Sequence, residues 1–277
     1  MIRNINENTN IEVSILLLIY NASLEQILKT IKSIIQQKNC SIELIISDDC
    51  SISDYTKEID EFLHDKYNNY IINRNDKNLG TVENIRGAIS LCRGDYIYLI
   101  SPDDYIFDTD TISHFYKYSL LHNLKICTGN ILAYQKENSG SEPTIIIPYY
   151  KNLLENSKFT LRAFVVQGGF IGCSYFREKK SWEKYLNEIS GKCRFVEDNT
   201  TTLLAILGDV RIGYLNEVIA CYECTQGVSN SELLKHTLES DYINFYSMLK
   251  KDILTITVLI LLISIVKVNI QMQSREL

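Results

Sequence analysis

The chain has no basic excess. Its 28 Lys and Arg stand against 34 Asp and Glu, for a net charge of −6, and they are scattered along the sequence. Binding along a phosphate backbone needs a positive face, so nucleic acid is excluded as a partner. The N-terminus, Met1-Ile2-Arg3-Asn4-Ile5-Asn6-Glu7-Asn8, lacks the apolar core of a secretory signal. The expected compartment is the reducing cytoplasm, with the eight cysteines present as thiols. Cys221 and Cys224 have CxxC spacing, but no second CxxC or nearby His pair completes a zinc set, so both read as small buried thiols. There is no internal repeat and no low-complexity tract. Near the C-terminus, residues 253–266 (ILTITVLILLISIV) form an apolar run flanked by Lys250, Lys251 and Lys267. The run is short of the roughly 20 residues that cross a bilayer. Two readings stay open for it: a buried packing element, and docking at a membrane surface, which the flanking lysines favour slightly.

What is present suits a folded α/β protein. With 45% hydrophobic and 22% charged residues, 277 residues can bury a sizeable core in one or two domains. Short apolar runs alternate with helix-period segments through about residue 135, the pattern of βαβ units and a mostly parallel sheet flanked by helices. Strands are expected at 12–19, 42–47, 70–73, 96–100 and 125–132. Ile27, Leu28, Ile31, Ile34 and Ile35 share one stripe of a helix over 24–37. A second helix is expected over 53–66 with Ser53 as its cap, and a third after Gly80 that ends before Arg93-Gly94. Residues 137–151 read as a loop-like junction containing a short strand at 145–147. Beyond it come helices at 159–166, 178–189 and 198–207, a strand at 213–222 and a helix over 231–250. The expected division is thus 1–136 as a nucleotide-binding half, 137–230 as a smaller α+β acceptor-side half, and 231–277 as C-terminal helices.

Ligands of open α/β sheets sit outside the carboxyl ends of the strands, and here those ends are acidic. The second strand runs into Ser47-Asp48-Asp49-Cys50-Ser51, and the fourth into Ser101-Pro102-Asp103-Asp104. Two carboxylate pairs facing one crevice repel unless a cation lies between them, and a hard ion such as Mg²⁺ or Mn²⁺ takes carboxylate together with phosphate oxygens. Turn chemistry accounts for either pair taken alone. The turn Ile19-Tyr20-Asn21-Ala22-Ser23 has no glycine, against a dinucleotide-dependent oxidoreductase, and no glycine-rich, lysine-bearing loop follows, against a nucleotidyltransferase.

Order adds what each pair lacks. The blocks Val13-Ser14-Ile15 through Tyr20-Asn21, Glu43 to Ser51, Asn78-Leu79-Gly80 through Asn84, Ala88 with Arg93-Gly94-Asp95, and Ser101-Pro102-Asp103-Asp104 together resemble the inverting family 2 glycosyltransferases of GT-A fold. The resemblance implies that Leu18, Tyr20, Asn21 and Asp49 contact the nucleotide. It further implies that Asp104 is the principal ligand of a divalent metal, with Asp103 shared between metal and nucleotide. It makes Asp198 the general base and Glu197 its neighbour. The glycine cluster Gly168-Gly169 and the late loop with Thr225 and Gln226 would lie by the acceptor and diphosphate. Asn78 and Arg86 are further conceivable polar contacts. A helix N-terminus at Asp198 would lower its pKa and keep it ionised.

The implied partners are a nucleoside diphosphate sugar and a glycan or lipid-linked acceptor in polysaccharide biosynthesis, the rival being a degenerate scaffold of the same fold. Five positions depart from the family pattern: Leu18 replaces a Pro, Cys50 a Gly, Ser101 the first Asp of the acidic motif, Glu223 a basic residue, and Gln226 a His.

Overall fold

The computed structural model describes residues 1–135, 142–147, 161, 164, 169–224 and 234–249. The strands are β1 (Ile2–Asn4), β2 (Val13–Ile19), β3 (Ile42–Asp48), β4 (Tyr70–Arg74), β5 (Tyr96–Ile100), β6 (Tyr105–Ile106), β7 (Ile126–Tyr134), β8 (Thr144–Ile146), β9 (Tyr175–Glu178) and β10 (Ile212–Glu223). The helices are α1 (Leu24–Ile35), α2 (Thr56–Leu63), α3 (Thr81–Ile89), α4 (Thr111–Leu121), α5 (Lys179–Ile189), α6 (Glu197–Leu207) and α7 (Lys235–Met248).

One sheet carries them in the order β1-β4-β3-β2-β5-β9-β7-β10-β6, with β8 added to β7. Its centre, β4-β3-β2-β5, is parallel, and β9 joins β5 to β7 by antiparallel pairing on both sides. The sheet therefore runs through both sides of the junction expected at 137–151.

Strand alternation divides the core in two. Leu16, Ile45, Ile71, Ile97 and Leu99 point to the face covered by α3, α5 and α6, where they meet Val82, Ile85, Leu186 and Leu203. Val13, Ile15, Leu17, Leu44 and Ile46 point to the other, against Ile27, Ile31 and Ile34 of α1 and Ile59 and Leu63 of α2. Burial on both faces explains why these strands read as continuous apolar runs.

The five strands and third helix read from the N-terminal half are present, with ends shifted by a few residues. Four elements have no counterpart in the sequence reading: β1, β6, β9 and α4. The three strands have four residues or fewer, too few to show a period. The expected Ser53 cap is overturned. Helix α2 starts at Thr56 without a side-chain cap, and Asp54 Oδ1 accepts the Thr56 N–H at 3.0 Å instead. Helix α6 starts one residue earlier than expected. The expected helix at 159–166 falls almost wholly outside the described residues; Gly168, Thr225, Gln226 and the run 253–266 lie entirely outside them.

Candidate active site

The carboxyl ends of β2, β3 and β4 form a braced rim. Asn21 sits at φ 53 and donates its N–H to Ser51 Oγ at 2.8 Å, while its Oδ1 accepts the Ile52 N–H at 2.9 Å. Cys50 has φ 63, the left-handed backbone that a glycine takes without cost, so the local conformation survives the change of residue. Asp48 and Asp49 divide the work. Asp48 pairs with Arg74 and accepts the Ser51 N–H at 3.0 Å. Asp49 accepts the N–H groups of Leu79 at 2.9 Å and Gly80 at 2.8 Å, and Asn75 Nδ2 at 2.9 Å. An ionised carboxylate offers about four acceptor sites, so these three bonds leave capacity for a ligand donor.

The second acidic stretch is a tight turn closed by the Asp104 N–H on the Ser101 carbonyl at 3.2 Å, with Asp103 at φ 77. Helix α1 supports it. Gln26 accepts the Ser23 N–H in the capping box of that helix and donates through Nε2 to the Asp103 carboxylate. Thr30 Oγ1, one turn on, donates to the Asp104 carbonyl at 2.7 Å. Tyr134 donates its hydroxyl to the Asp103 carbonyl at 2.5 Å, and the Glu223 N–H donates to Asp104 Oδ1 at 2.9 Å.

Both carboxyls are buried. Burial pushes the Asp104 pKa up to about 8, and the charges of Asp103 and Glu223 add to that rise against the bond from the Glu223 N–H. Hard oxygen donors and mutual repulsion fit a divalent cation. Among the described residues no group of three His, Cys, Asp or Glu could hold a metal. Asp103 and Asp104 would therefore hold it as a pair, with the remaining ligands coming from elsewhere.

The third carboxylate group opens α6. Glu197 is buried and Asp198 partly exposed, and Asp198 Oδ1 accepts the Asn199 N–H at 2.6 Å. The expectation that the helix start lowers the Asp198 pKa is overturned. Burial raises it against the Asn199 N–H and Arg177, because desolvation of the charge outweighs the helix dipole. Glu197 is raised as well, first by burial and then by the Asp198 charge. Gly169 (φ 93) packs its α-carbon against the Asn199 side chain, and any β-carbon there would overlap it. A β-carbon at Gly172 would lie 3.7 Å from Asp198 Oδ2.

These three groups face one cleft of about 1110 Å³. Leu18, Tyr20, Asn21, Asp49, Asp103, Asp104, Gly169, Glu197 and Asp198 all line it. A family model described as glycosyl transferase family 2 matches residues 14–183. The chain belongs to that family.

This family 2 glycosyltransferase is 40% identical over 83 residues to abequosyltransferase RfbV of Salmonella typhimurium. That segment is 29% of this chain and 24% of the relative, so the chain matches about a quarter of the relative's length. The TarS 1-349 fragment of S. aureus in complex with UDP-GlcNAc shares the fold at a TM-score of 0.63 and 19% identity, over 91% of this chain and 67% of that one. A mannosyltransferase from Pyrobaculum calidifontis, in complex with GDP-Man and Mn²⁺, superposes at 0.58 and 13% identity, over 90% and 67%.

The family match ends before α6, so Glu197 and Asp198 stand on the geometry of the cleft. Of the two further contacts considered, Asn78 lines the cleft and accepts Arg194 Nη2 at 2.6 Å. Arg86 does not reach it, being engaged by Glu83, Asn187 and Ser190 at the contact of α3 with α5. Sequence reasoning missed Gln26, Thr30 and Tyr134, which hold the acidic turn. Their signals there were a capping residue, a helix-face polar and a strand aromatic. All eight cysteines are free thiols, with Cys221 buried and Cys224 partly exposed.

Proposed function

We propose that the protein is a metal-dependent, inverting glycosyltransferase that moves a sugar from a nucleoside diphosphate sugar to a glycan or lipid-linked acceptor in polysaccharide biosynthesis. The observation that carries this is the convergence of Asp49, the Asp103-Asp104 turn and Asp198 on one cleft. Asp49, Tyr20 and Asn21 bind the nucleoside, the free acceptor capacity of Asp49 being suited to an N–H or hydroxyl donor. Asp103 and Asp104 would hold a divalent ion, which when bound would supply positive charge to the diphosphate.

Asp198 accepts the proton of the acceptor hydroxyl as that oxygen forms its bond to the anomeric carbon. The bond from that carbon to the diphosphate breaks on the opposite side, the electron pair leaves with the diphosphate, and the configuration inverts. A raised pKa suits a carboxylate to this work at neutral pH, since a base near the operating pH transfers protons best. Both acids of α6 line the cleft, and Asp198 is the base because it is the more exposed of the two.

The names of similar proteins point the same way: an abequosyltransferase, and structures holding UDP-GlcNAc or GDP-Man with Mn²⁺. Cytoplasmic placement at a membrane surface, through residues 253–266, belongs to the same proposal. The test is turnover of a panel of nucleoside diphosphate sugars by wild type, Asp104→Ala and Asp198→Asn. Loss of turnover in both variants supports the mechanism. Unchanged turnover in both sinks it, and an inactive wild type with every donor favours a scaffold.

A further inference from the structure

Behind α6 lies a cation outside the scheme above. Arg177 of β9 pairs with Ile97 of β5 on one side and Ile126 of β7 on the other, and it is 2% exposed. Its guanidinium lies 3.8 Å from the ring centroid of Tyr175 and 4.7 Å from that of Trp182. Among the described residues, Nε and Nη2 have no hydrogen-bond partner. A guanidinium cannot shed its proton to escape burial, so an arginine this deep is costly unless charge of the other sign lies near.

The carboxylate charges that act on it are those of the acid pair. The Tyr175 ring beneath Arg177 brings its hydroxyl to 3.5 Å from Asn199 Oδ1, and the Asn199 N–H donates to Asp198 Oδ1. Arg177 does not line the cleft; it reaches substrate only through those carboxyls.

We propose that Arg177 is a positioning residue for the acid pair: its fixed positive charge keeps one carboxylate of Glu197 and Asp198 ionised at neutral pH while the other carries a proton. The charge balance is direct, because one guanidinium and two carboxylates sum to −1, and one proton makes the buried group neutral. Asp198, being partly exposed, keeps the charge, and buried Glu197 keeps the proton.

The pKa directions agree: Arg177 opposes the rise of both carboxyls, and both in turn oppose the fall that burial imposes on Arg177. The other groups facing the pair are the phenols of Tyr175 and Tyr242, both raised by burial and so neutral. Asp241 of α7 is occupied by the N–H groups of Arg194 and Phe195 at 2.8 and 2.7 Å. The Arg194 guanidinium turns away to Asn78, and Tyr185 of α5 meets α6 at its far end, by Gly208. Arg177 is thus the one cation among these groups whose charge acts on both acids.

The inference rests on the proposed role of Asp198, but its test needs no substrate. Carboxyl ¹³C resonances of the full chain, assigned with Glu197→Gln and Asp198→Asn, are titrated in wild type, Arg177→Met and Arg177→Lys. Loss of the cation should raise the Asp198 midpoint by about one pH unit or more, and the lysine variant should restore most of that shift. A folded Arg177→Met protein with an unmoved or lowered Asp198 midpoint overturns the proposal. If Arg177→Met does not fold, the charge-balanced double variant Arg177→Met/Asp198→Asn should recover folding. If the double variant also fails, Arg177 is a packing residue and the proposal falls. Failure of the transferase reading would appear separately, as unchanged turnover in Asp198→Asn.

Discussion

At Asp198 two local effects act in opposite directions, since the first turn of α6 favours a carboxylate while the surrounding burial disfavours one. Asp198→Asn keeps the shape and the bond-accepting oxygen and removes the proton acceptor. Transfer should fall about 10²–10⁴-fold, while thermal unfolding shows the melting temperature preserved. Gly169 is a second position with a sharp expectation. Its φ of 93 and its contact with Asn199 leave no room for a methyl group. Gly169→Ala should cost about 1–3 kcal/mol in urea unfolding and should lower turnover as well, because Asn199 is the neighbour whose N–H holds Asp198.

Helix α1 shows how one element serves fold and site together. Its capping box uses Gln26 Oε1, and the Nε2 of the same side chain holds Asp103. Gln26→Ala should therefore cost about 1 kcal/mol of stability and also weaken Mn²⁺-dependent nucleotide binding, measured by calorimetry with and without the metal. A change confined to stability would separate the two roles. The helix itself was legible in sequence, because Ile27, Ile31 and Ile34 repeat at helical spacing and all are buried. The parallel strands were legible for a related reason, since burial on both faces imposes unbroken apolar runs. Strand β9 was not: its four residues, Tyr-Phe-Arg-Glu, contain a charge in a fully buried position, which sequence rules assign to a surface.

Across the whole molecule, the raised carboxyls of Asp104, Glu197 and Asp198 make stability depend on pH. Asp104 rises from 3.8 to about 8 and Glu197 from 4.5 to about 8. A carboxyl whose folded pKa lies above its unfolded one favours the native state fully below the unfolded value. That contribution is lost as pH rises from near 4 through 8. The metal-free protein should thus melt at lower temperature at pH 8.5 than at pH 6, and Glu197→Gln should flatten the slope. A nucleoside diphosphate with Mn²⁺ should raise the melting temperature by mass action, and more so at the higher pH, where Asp104 is free of its proton. Equal stabilisation by the nucleotide without metal would count against Asp104 as a ligand.

The sequence by itself determined the parallel αβ half, the acidic strand ends and the order of blocks that marks family 2, because periodicity and short-range spacing are written along the chain. Only the tertiary structure decided which carboxylates meet and how burial shifts their pKa values. The turn at Asp103 and Asp104 is held by Gln26, Thr30 and Tyr134, and the acids of α6 feel the charge of Arg177, buried in strand β9. Those relations depend on distances between residues far apart in sequence and on exclusion of water, neither of which exists before the chain is folded.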